Sequence, residues 1–478
     1  MKKILFYILP VVVVFAACTK NITRFNIPTK QPATVPAGPV FTYATKQLSD
    51  IMADCSNNNT FRHIVEHWSQ TIIQDATIYN FNATGANDNW WNRMYIVLAN
   101  LKACDSLLQQ PSLTAPVVIK NERAIVDIME VYVFNVLVNS FGNVPYSQAL
   151  NYNNLFPKYD DAKTIQQDLE KRLAADLAAL DATTGSFAAT EDLFYSGKVS
   201  SWSAFGNSLM IKMAMTLADV DGANTKTLVE AASPKAFLSG ATDAVWKYLA
   251  QPNNNPTYQA IVLSGRQDFI GCSTLVDTMK AHNDPRLPGF FTTNSSGQYA
   301  GTRLGETQGV IFANESKPSL RLSKDTTSYI FMDYIDMEFY RAEAIERGYN
   351  VGGTAEQHYD AAIAASILYW GGSQTDVTTY LARPDVAYTT AYGPWQKKIG
   401  LQKWIALYCR GFDCWTDLRR YDYPTMIPPI AAISGFPNRL PYPSGRYNEQ
   451  AVNGANYTQA AAAIGGDKPE TKLYWDIY

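Results

Sequence analysis

Apolar residues in this chain recur at three- and four-residue steps over long stretches, whereas strict alternation is rare, and that pattern predicts a mainly α-helical fold. In NERAIVDIMEVYVFNVLVNSFG, the residues Ile125, Ile128, Met129, Tyr132 and Val136 form one stripe. Val131, Val133, Phe134 and Leu137 add apolar groups on the other faces, so this helix is expected to be buried nearly all round. Gly142 supplies a stop, and Pro145 keeps the helix from resuming. Further helices are expected over residues 164–181 and 199–217, the second capped by the serines at its start.

The clearest helix pair lies in SYIFMDYIDMEFYRAEAIERGYNVGGTAEQHYDAAIAASILYWGG. Its first stripe runs Ile330, Tyr334, Met337, Tyr340, Ala344 and breaks at Gly348. Its second runs Tyr359, Ile363, Ile367, Trp370 and starts after Gly352, Gly353 and Thr354. The small residues Ala342, Ala344, Ala361, Ala362, Ala364 and Ala365 let two helices approach closely, which is the logic of tetratricopeptide-like pairs. No strict repeat period runs through the chain, so the expected body is one of divergent helix pairs with long irregular loops. Helical repeats are expected at about 41–235 and 329–420. Residues 240–328 are rich in Asn, Gly, Pro, Ser and Thr, and only 269–281 reads as a helix there. Irregular segments of this length in a compact protein are commonly functional. This one carries Trp246, Tyr248, Tyr258, Arg266, Tyr299 and Arg303. The tail at 424–443 is too proline-rich for a long helix.

The amino terminus has a different pattern. Lys2 and Lys3 precede an apolar run over residues 4–17, about 21 Å long as a helix and short for a hydrocarbon core of ~30 Å. The run ends Phe15-Ala16-Ala17-Cys18, which resembles a bacterial lipobox rather than a plain secretory cut site. Residues 1–17 are therefore expected to be a signal peptide, with Cys18 acylated. Residues 18–40, with four prolines between Pro28 and Pro39, are expected to form an extended tether, and 41–478 the folded body. No later apolar stretch reads as a membrane span. Lys2 and Lys3 leave with the signal, so the mature chain carries 38 Lys and Arg against 43 Asp and Glu, net near −5. That balance gives no reason to expect nucleic-acid binding. Cys55, Cys104, Cys272, Cys409 and Cys414 are too sparse and odd in number for a disulfide scaffold; they read as buried thiols, with at most one bridge.

The sharpest enzymatic pattern is FRHIVEHWSQ, in which His63, Glu66 and His67 match H-x-x-E-H. On a helix both imidazoles would share a face suited to zinc, with Glu66 as base and Glu122 as a third ligand. The simpler reading is a partly exposed helix with two polar histidines, where His67→Ala would change stability by less than about 0.5 kcal/mol. A zinc metallohydrolase is thus the weakest of three functional readings. DVDGANTKTLVE places Asp219, Asp221 and Glu230 at calcium-loop positions but lacks the central glycine, so it reads as a turn between helices. No phosphate loop, dinucleotide fingerprint or nucleophile elbow occurs, and no cofactor and no catalytic residue is assigned.

Five segments, in this order, carry a family resemblance: NERAIVDIMEVYVFNVLVNSFGNVPYSQAL, RAEAIERG, LQKWIALYCRGFDCWTDLRRYDYP, RLPYPSGRYN and the terminal KLYWDIY. With the lipobox, the tether and the paired helices, they resemble a SusD/RagB-type outer-membrane lipoprotein of the SusD-like branch over essentially the whole mature chain. The residues themselves read as scaffold. Trp404, Trp415 and Trp475 are large anchors whose indole N–H groups each need a partner. Asp417, Arg419 and Arg420 are expected to form paired charges between helices, and Arg341 and Glu343 to lie near a helix surface.

The resemblance implies a ligand site shared between an early loop and loops of the irregular middle. The early stretch QDATIYNFNATGANDNWWNRMY mixes aromatics with amides and a carboxylate, as a sugar-binding surface requires: flat apolar faces beside hydrogen-bonding groups. Tyr79, Phe81, Asn82, Asn87, Asp88 and Trp90 are the candidates there, joined by Trp246, Tyr258 and Arg266 from the middle. Asn87 or Asp88 is expected to cap the following helix, with Trp91 in the core and Trp90 exposed. The implied function is capture of an oligosaccharide or glycopeptide at the outer membrane and delivery to a SusC-like TonB-dependent transporter. The alternative is a helical-repeat scaffold for a peptide or protein.

Overall fold

The computed structural model describes residues 35–56, 59–72, 74–443 and 450–478; Cys18, the signal segment and most of the tether lie outside the described residues. The chain begins with α1 (Ala37–Ala53), the strand β1 (Trp68–Gln70), α2 (Ala86–Leu108) and α3 (Pro116–Phe141). There follow β2 (Val144–Pro145), β3 (Tyr159–Asp160), α4 (Ala162–Ala179), α5 (Val199–Thr216), α6 (Gly222–Ala232) and β4 (Ala244–Trp246). The middle holds β5 (Phe269–Gly271), α7 (Ser273–Ala281) and β6 (Tyr329–Met332). The last part consists of α8 (Tyr334–Glu346), α9 (Ala355–Tyr369), α10 (Gln374–Leu381), α11 (Trp395–Ala406), α12 (Gly411–Tyr421) and α13 (Gln450–Ala463). The fold is mainly α-helical, as the periodicity predicts.

Neighbouring helices pack as pairs: α1 on α2, α3 on α4, α5 on α6, and α8 on α9. α1 starts at Ala37, so the helical body reaches a few residues into the segment expected to be tether, because Phe41, Ala44, Leu48 and Met52 already form a buried stripe. α3 has Pro116 in its first turn and ends at Gly142, whose φ of 83° is costly for other residues. By length and apolarity α3 would pass for a membrane span, contrary to the expectation that no later segment does, but 89% of its most apolar window is buried inside the protein. In the clearest pair, Asp333 caps α8 by accepting from Asp336 N (2.9 Å), and Thr354 with Gln357 forms a reciprocal capping box on α9. The buried residues Ala342, Ala344 and Ala362 keep that pair close.

Three local expectations are corrected. α5 has Lys198 rather than a serine at its cap. Ile330 belongs to β6, which pairs antiparallel with β4, so the helical stripe of α8 starts only after Asp333. The segment 269–281 divides into β5 and α7, because Phe269–Gly271 pairs antiparallel with Trp68–Gln70. All five described cysteines are free thiols, so Cys409 and Cys414 form no bridge.

Two of the family segments, RAEAIERG and LQKWIALYCRGFDCWTDLRRYDYP, are joined inside the molecule by a chain of buried ion pairs. Lys212 pairs with Asp413, and Arg410 reaches Asp333 (2.9 Å), Asp336 (3.0 Å) and Asp413 (3.1 Å). Lys403 bridges Asp336 (3.0 Å) and Asp417 (2.8 Å), and Arg420 bridges Asp417 (2.7 Å) and Glu343 (2.6 Å). Of the charges expected to pair between helices, Asp417 and Arg420 do so through Lys403 and Glu343 and also pair with each other within α12, whereas Arg419 donates to the Asn139 (3.1 Å) and Asn438 (2.8 Å) carbonyls rather than to a carboxylate. Arg341 and Glu343, expected near the surface, are buried; Arg341 pairs with Glu338 (2.6 Å) and donates to the Ser233 carbonyl (3.0 Å). The three anchoring indoles each find an acceptor: Trp404 the Val65 carbonyl (2.9 Å), Trp415 the Pro437 carbonyl (2.6 Å) and Trp475 the Asn139 side chain (2.9 Å). These bonds tie the first, middle and last parts of the chain into one core.

Candidate functional site

After α1 the chain makes one short helical turn, Phe61–Ile64, and leaves it through Glu66 in the left-handed region (φ 54°). β1 then pairs with β5, which brings Asp268 beside the next residues. Its carboxylate accepts from the backbone N–H groups of Thr71 (3.1 Å) and Ile72 (2.9 Å) and from the Gln70 side chain (3.0 Å), and it pairs with Arg266. The Arg266 guanidinium lies 4.7 Å from the Phe269 ring centre. The chain continues through Tyr79 (φ 61°) to the turn Phe81–Thr84, capped by Asn80, which accepts from Ala83 N (3.3 Å).

Two further segments close on this early loop. Thr302 N donates to the Gly271 carbonyl (3.1 Å), fixing the middle loop against β5. Gly305 has φ 74° and sits where a Cβ would lie 2.2 Å from the Ile430 carbonyl, so only glycine admits the proline-rich tail there. The tail is held by Ile430 N on the Leu304 carbonyl (3.0 Å), Arg303 on the Pro428 carbonyl (2.6 Å) and Ile433 N on the Ile78 carbonyl (2.9 Å). The exposed residues on these segments include Asn82, Gln267 and Arg303 and the apolar Ile72, Ile430 and Ile433, with Ile72 69% and Ile433 64% exposed. At its base, burial pushes the Glu66 carboxyl up to about 7 against the bond donated by Thr274.

Of the residues singled out from the sequence, Asn82 is exposed and Asp88, Tyr258 and Arg266 are half-buried. Asn82 lies in the turn that follows Tyr79, and Arg266 leads into β5 with its guanidinium on Asp268. Tyr258 ends a turn held to α1 by Thr257 donating to the Ala53 carbonyl (2.8 Å). Tyr79, Phe81, Asn87, Trp90 and Trp246 are all buried, which leaves none of these rings an open face for stacking. Asn87 donates to the carbonyls of Pro441 and Tyr442 (3.3 Å each) instead of capping, and the residue at the start of α2 is Gly85. Trp90 is not exposed: its indole donates to Ser140 Oγ (3.0 Å) and its ring packs on Phe61 and Phe412. Trp91 is buried as expected, against Phe141. Trp246 lies in β4 opposite Tyr329 of β6 and meets Phe194. Asp268 and the tail isoleucines were not among the candidates. An aspartate in a polar segment and isoleucines in a proline-rich one carry no pattern that marks them.

The H-x-x-E-H segment does not form a two-histidine helical face. The helical turn ends at Ile64, before Glu66 and His67. His63 Nδ1 bonds the Trp68 carbonyl (2.9 Å), His67 Nε2 bonds the Trp404 carbonyl (3.0 Å), and Glu66 is engaged by Thr274, so the three groups serve three different neighbours. Among the described residues no group of three His, Cys, Asp or Glu side chains is placed to hold a metal ion. The surface alternative also fails, since both histidines are fully buried. The calcium-like loop is a helix-to-helix turn: Asp219 pairs with Arg347 (2.7 Å), and Glu230 accepts from Asn350 N (2.6 Å).

Paired helices joined by three converging irregular segments define a tetratricopeptide-like helical protein. Comparison narrows that class. Residues 29–443 match the SusD-like family described as "Starch-binding associating with outer membrane", and the chain belongs to that family. Among solved structures, a Bacteroidetes SusD-like protein superposes with a TM-score of 0.80 at 20% identity, covering 93% of this chain and 100% of that one. A SusD-like protein from Bacteroides thetaiotaomicron gives 0.77 at 24% identity, covering 92% and 98%. A chitin-binding SusD homolog from Flavobacterium johnsoniae gives 0.76 at 21% identity, covering 91% and 98%. At these identities the likeness is one of fold. No curated protein matches the chain.

Proposed function

We propose that this chain is a lipid-anchored outer-membrane protein that captures an oligosaccharide or glycopeptide at the loop cluster and delivers it to a SusC-like TonB-dependent transporter. The observation that carries the reading is the convergence of the early loop, the middle loop and the tail, held by bonds between them, on segments that also carry the exposed Asn82, Arg303, Ile72, Ile430 and Ile433. Amide and guanidinium donors beside apolar surface suit the hydroxyl rim and C–H faces of a sugar ring. The family description supports carbohydrate as the ligand class and the outer membrane as the location. One observation favours a second reading: the exposed side chains of the cluster are isoleucines rather than aromatic rings, and a peptide's apolar side chains would fit Ile72, Ile430 and Ile433 as well.

The double substitution Asn82→Ala with Arg303→Ala is expected to weaken retention on immobilised starch or chitin about tenfold, through loss of two hydrogen-bonding groups at ~0.5–1.5 kcal/mol each. Unchanged retention, with an unchanged melting temperature, would place capture elsewhere. The anchor is tested separately. Cys18→Ala is expected to leave the protein without lipid and to move it out of the membrane fraction, and full membrane retention of that variant would contradict the anchor.

A further inference from the structure

We propose that His358 is a proton-operated clasp on the turn between α8 and α9: its doubly protonated ring ties the Gly352 carbonyl to the Glu338 carboxylate, and loss of one proton releases the turn.

Both ring nitrogens face acceptors. Nδ1 lies 2.6 Å from Glu338 Oε2, and Nε2 lies 2.9 Å from the Gly352 carbonyl oxygen. A neutral imidazole carries one N–H, and neither a carboxylate nor a carbonyl brings a proton of its own. Both bonds therefore form together only when the ring holds two protons. The other Glu338 oxygen takes Arg341 (2.6 Å), which in turn donates to the hydroxyl (3.2 Å) and carbonyl (3.0 Å) of Ser233. Glu338 is thus anchored in the interior through a fixed cation and reaches outward to a titrating one. Glu338 and Arg341 are buried, whereas His358 is half-buried and can exchange its proton with water.

The backbone is shaped for this contact. Gly353 has φ 67°, and a Cβ there would lie 2.8 Å from His358 Nε2, so a larger residue would push the ring off the Gly352 carbonyl. From another side α6 holds the start of the same turn, with Lys226 donating to the Gly348 carbonyl (2.8 Å) and Glu230 accepting from Asn350 N (2.6 Å). His358 holds its end.

The charged groups facing the ring are Glu338 and Arg341 of α8; α10 and α11 pack instead on the apolar face of α9 formed by Tyr359, Ile363 and Ile367. The ring stands close to the start of α9, where the helix dipole opposes a cation. Burial opposes the charged ring as well, and Arg341 adds to it. The bonds to Glu338 and Gly352 and the Glu338 charge outweigh them, so the His358 pKa lies above its ordinary value. Because the folded value is raised, the clasp is complete below the unfolded value of about 6.5 and is lost as pH rises through the folded one.

Two measurements on the mature chain, made without a histidine tag, test this. The chain has four histidines, so a spectrum of protein labelled at histidine Cε1 can be assigned to His358 with the His358→Gln variant and followed through a pH titration. Hydrogen exchange over residues 348–354, corrected for the intrinsic rate at each pH, reports whether the turn is held. The expected midpoint for His358 lies above about 6.5, with protection of the turn falling at least about fivefold as pH rises through it. The half-buried ring can be replaced without disturbing the core, and His358→Gln is expected to show the weaker protection at every pH. A midpoint at or below about 6.5 would overturn the doubly protonated ring. A raised midpoint with protection that does not follow it, or that His358→Gln leaves unchanged, would overturn the clasp.

Discussion

Glu343→Ala is expected to destabilise the protein by about 3–5 kcal/mol, the usual range for removing one partner from a buried ion pair. Glu343 is wholly buried, and its carboxylate takes Arg420 (2.6 Å), Arg347 (2.8 Å) and the Tyr421 hydroxyl. Burial alone would push its pKa up; the charges of Arg420 and Arg347 outweigh that and hold it at about 2. The substitution strands the Arg420 guanidinium in the interior, with only Asp417 and a backbone carbonyl left to it. Denaturant unfolding measures the loss. A change below about 1 kcal/mol would show that the buried ion-pair chain is not what joins α8 to α12. Because the folded pKa is depressed, this contribution is complete above about pH 4.5 and disappears as pH falls towards 2.

His67→Ala is expected to cost about 2–4 kcal/mol, from a cavity and an unpaired Trp404 carbonyl. The ring is fully buried, 5.5 Å from that of Trp404 and 5.6 Å from that of Tyr408. Burial holds its pKa down at about 3, against about 6.5 when unfolded. Between those values the unfolded chain binds a proton that the folded chain does not, so the stabilisation from His67 is complete above about pH 6.5 and is lost as pH falls. The difference in unfolding free energy between wild type and His67→Ala should therefore shrink from pH 7 to pH 4, by up to about 1.4 kcal/mol per pH unit in the middle of the window. A difference that stays constant with pH would mean that His67 titrates normally in the folded protein, and a difference under about 0.5 kcal/mol at pH 7 would restore the surface reading.

The helical body was legible because its apolar stripes are local: α3, α4, α5 and the α8–α9 pair follow directly from three- and four-residue recurrence. What periodicity does not register is which distant group satisfies a buried polar one. His67 is paired with a carbonyl 337 residues further on, so a polar segment that reads as surface is in fact core. The adjacent tryptophans failed for a related reason. Successive helical residues point apart, and the expectation that one of them is exposed holds only when one side of the helix faces water. Here Phe61 and Phe412 cover Trp90 while Phe141 and Tyr442 cover Trp91. The middle loops announced themselves by composition and by Arg266 and Arg303. The tail's share in the cluster was hidden, since Ile430 and Ile433 reach it only through backbone bonds to Leu304 and Ile78.

The central claim, that the loop cluster captures saccharide, is tested most directly by a crystal structure of the mature chain grown with maltoheptaose or chitohexaose. The account predicts sugar seated across the early loop, the middle loop and the tail, with hydroxyls within hydrogen-bond distance of Asn82 and Arg303. A saccharide bound elsewhere with the cluster empty, or a cluster that accepts a peptide and no sugar, would contradict it.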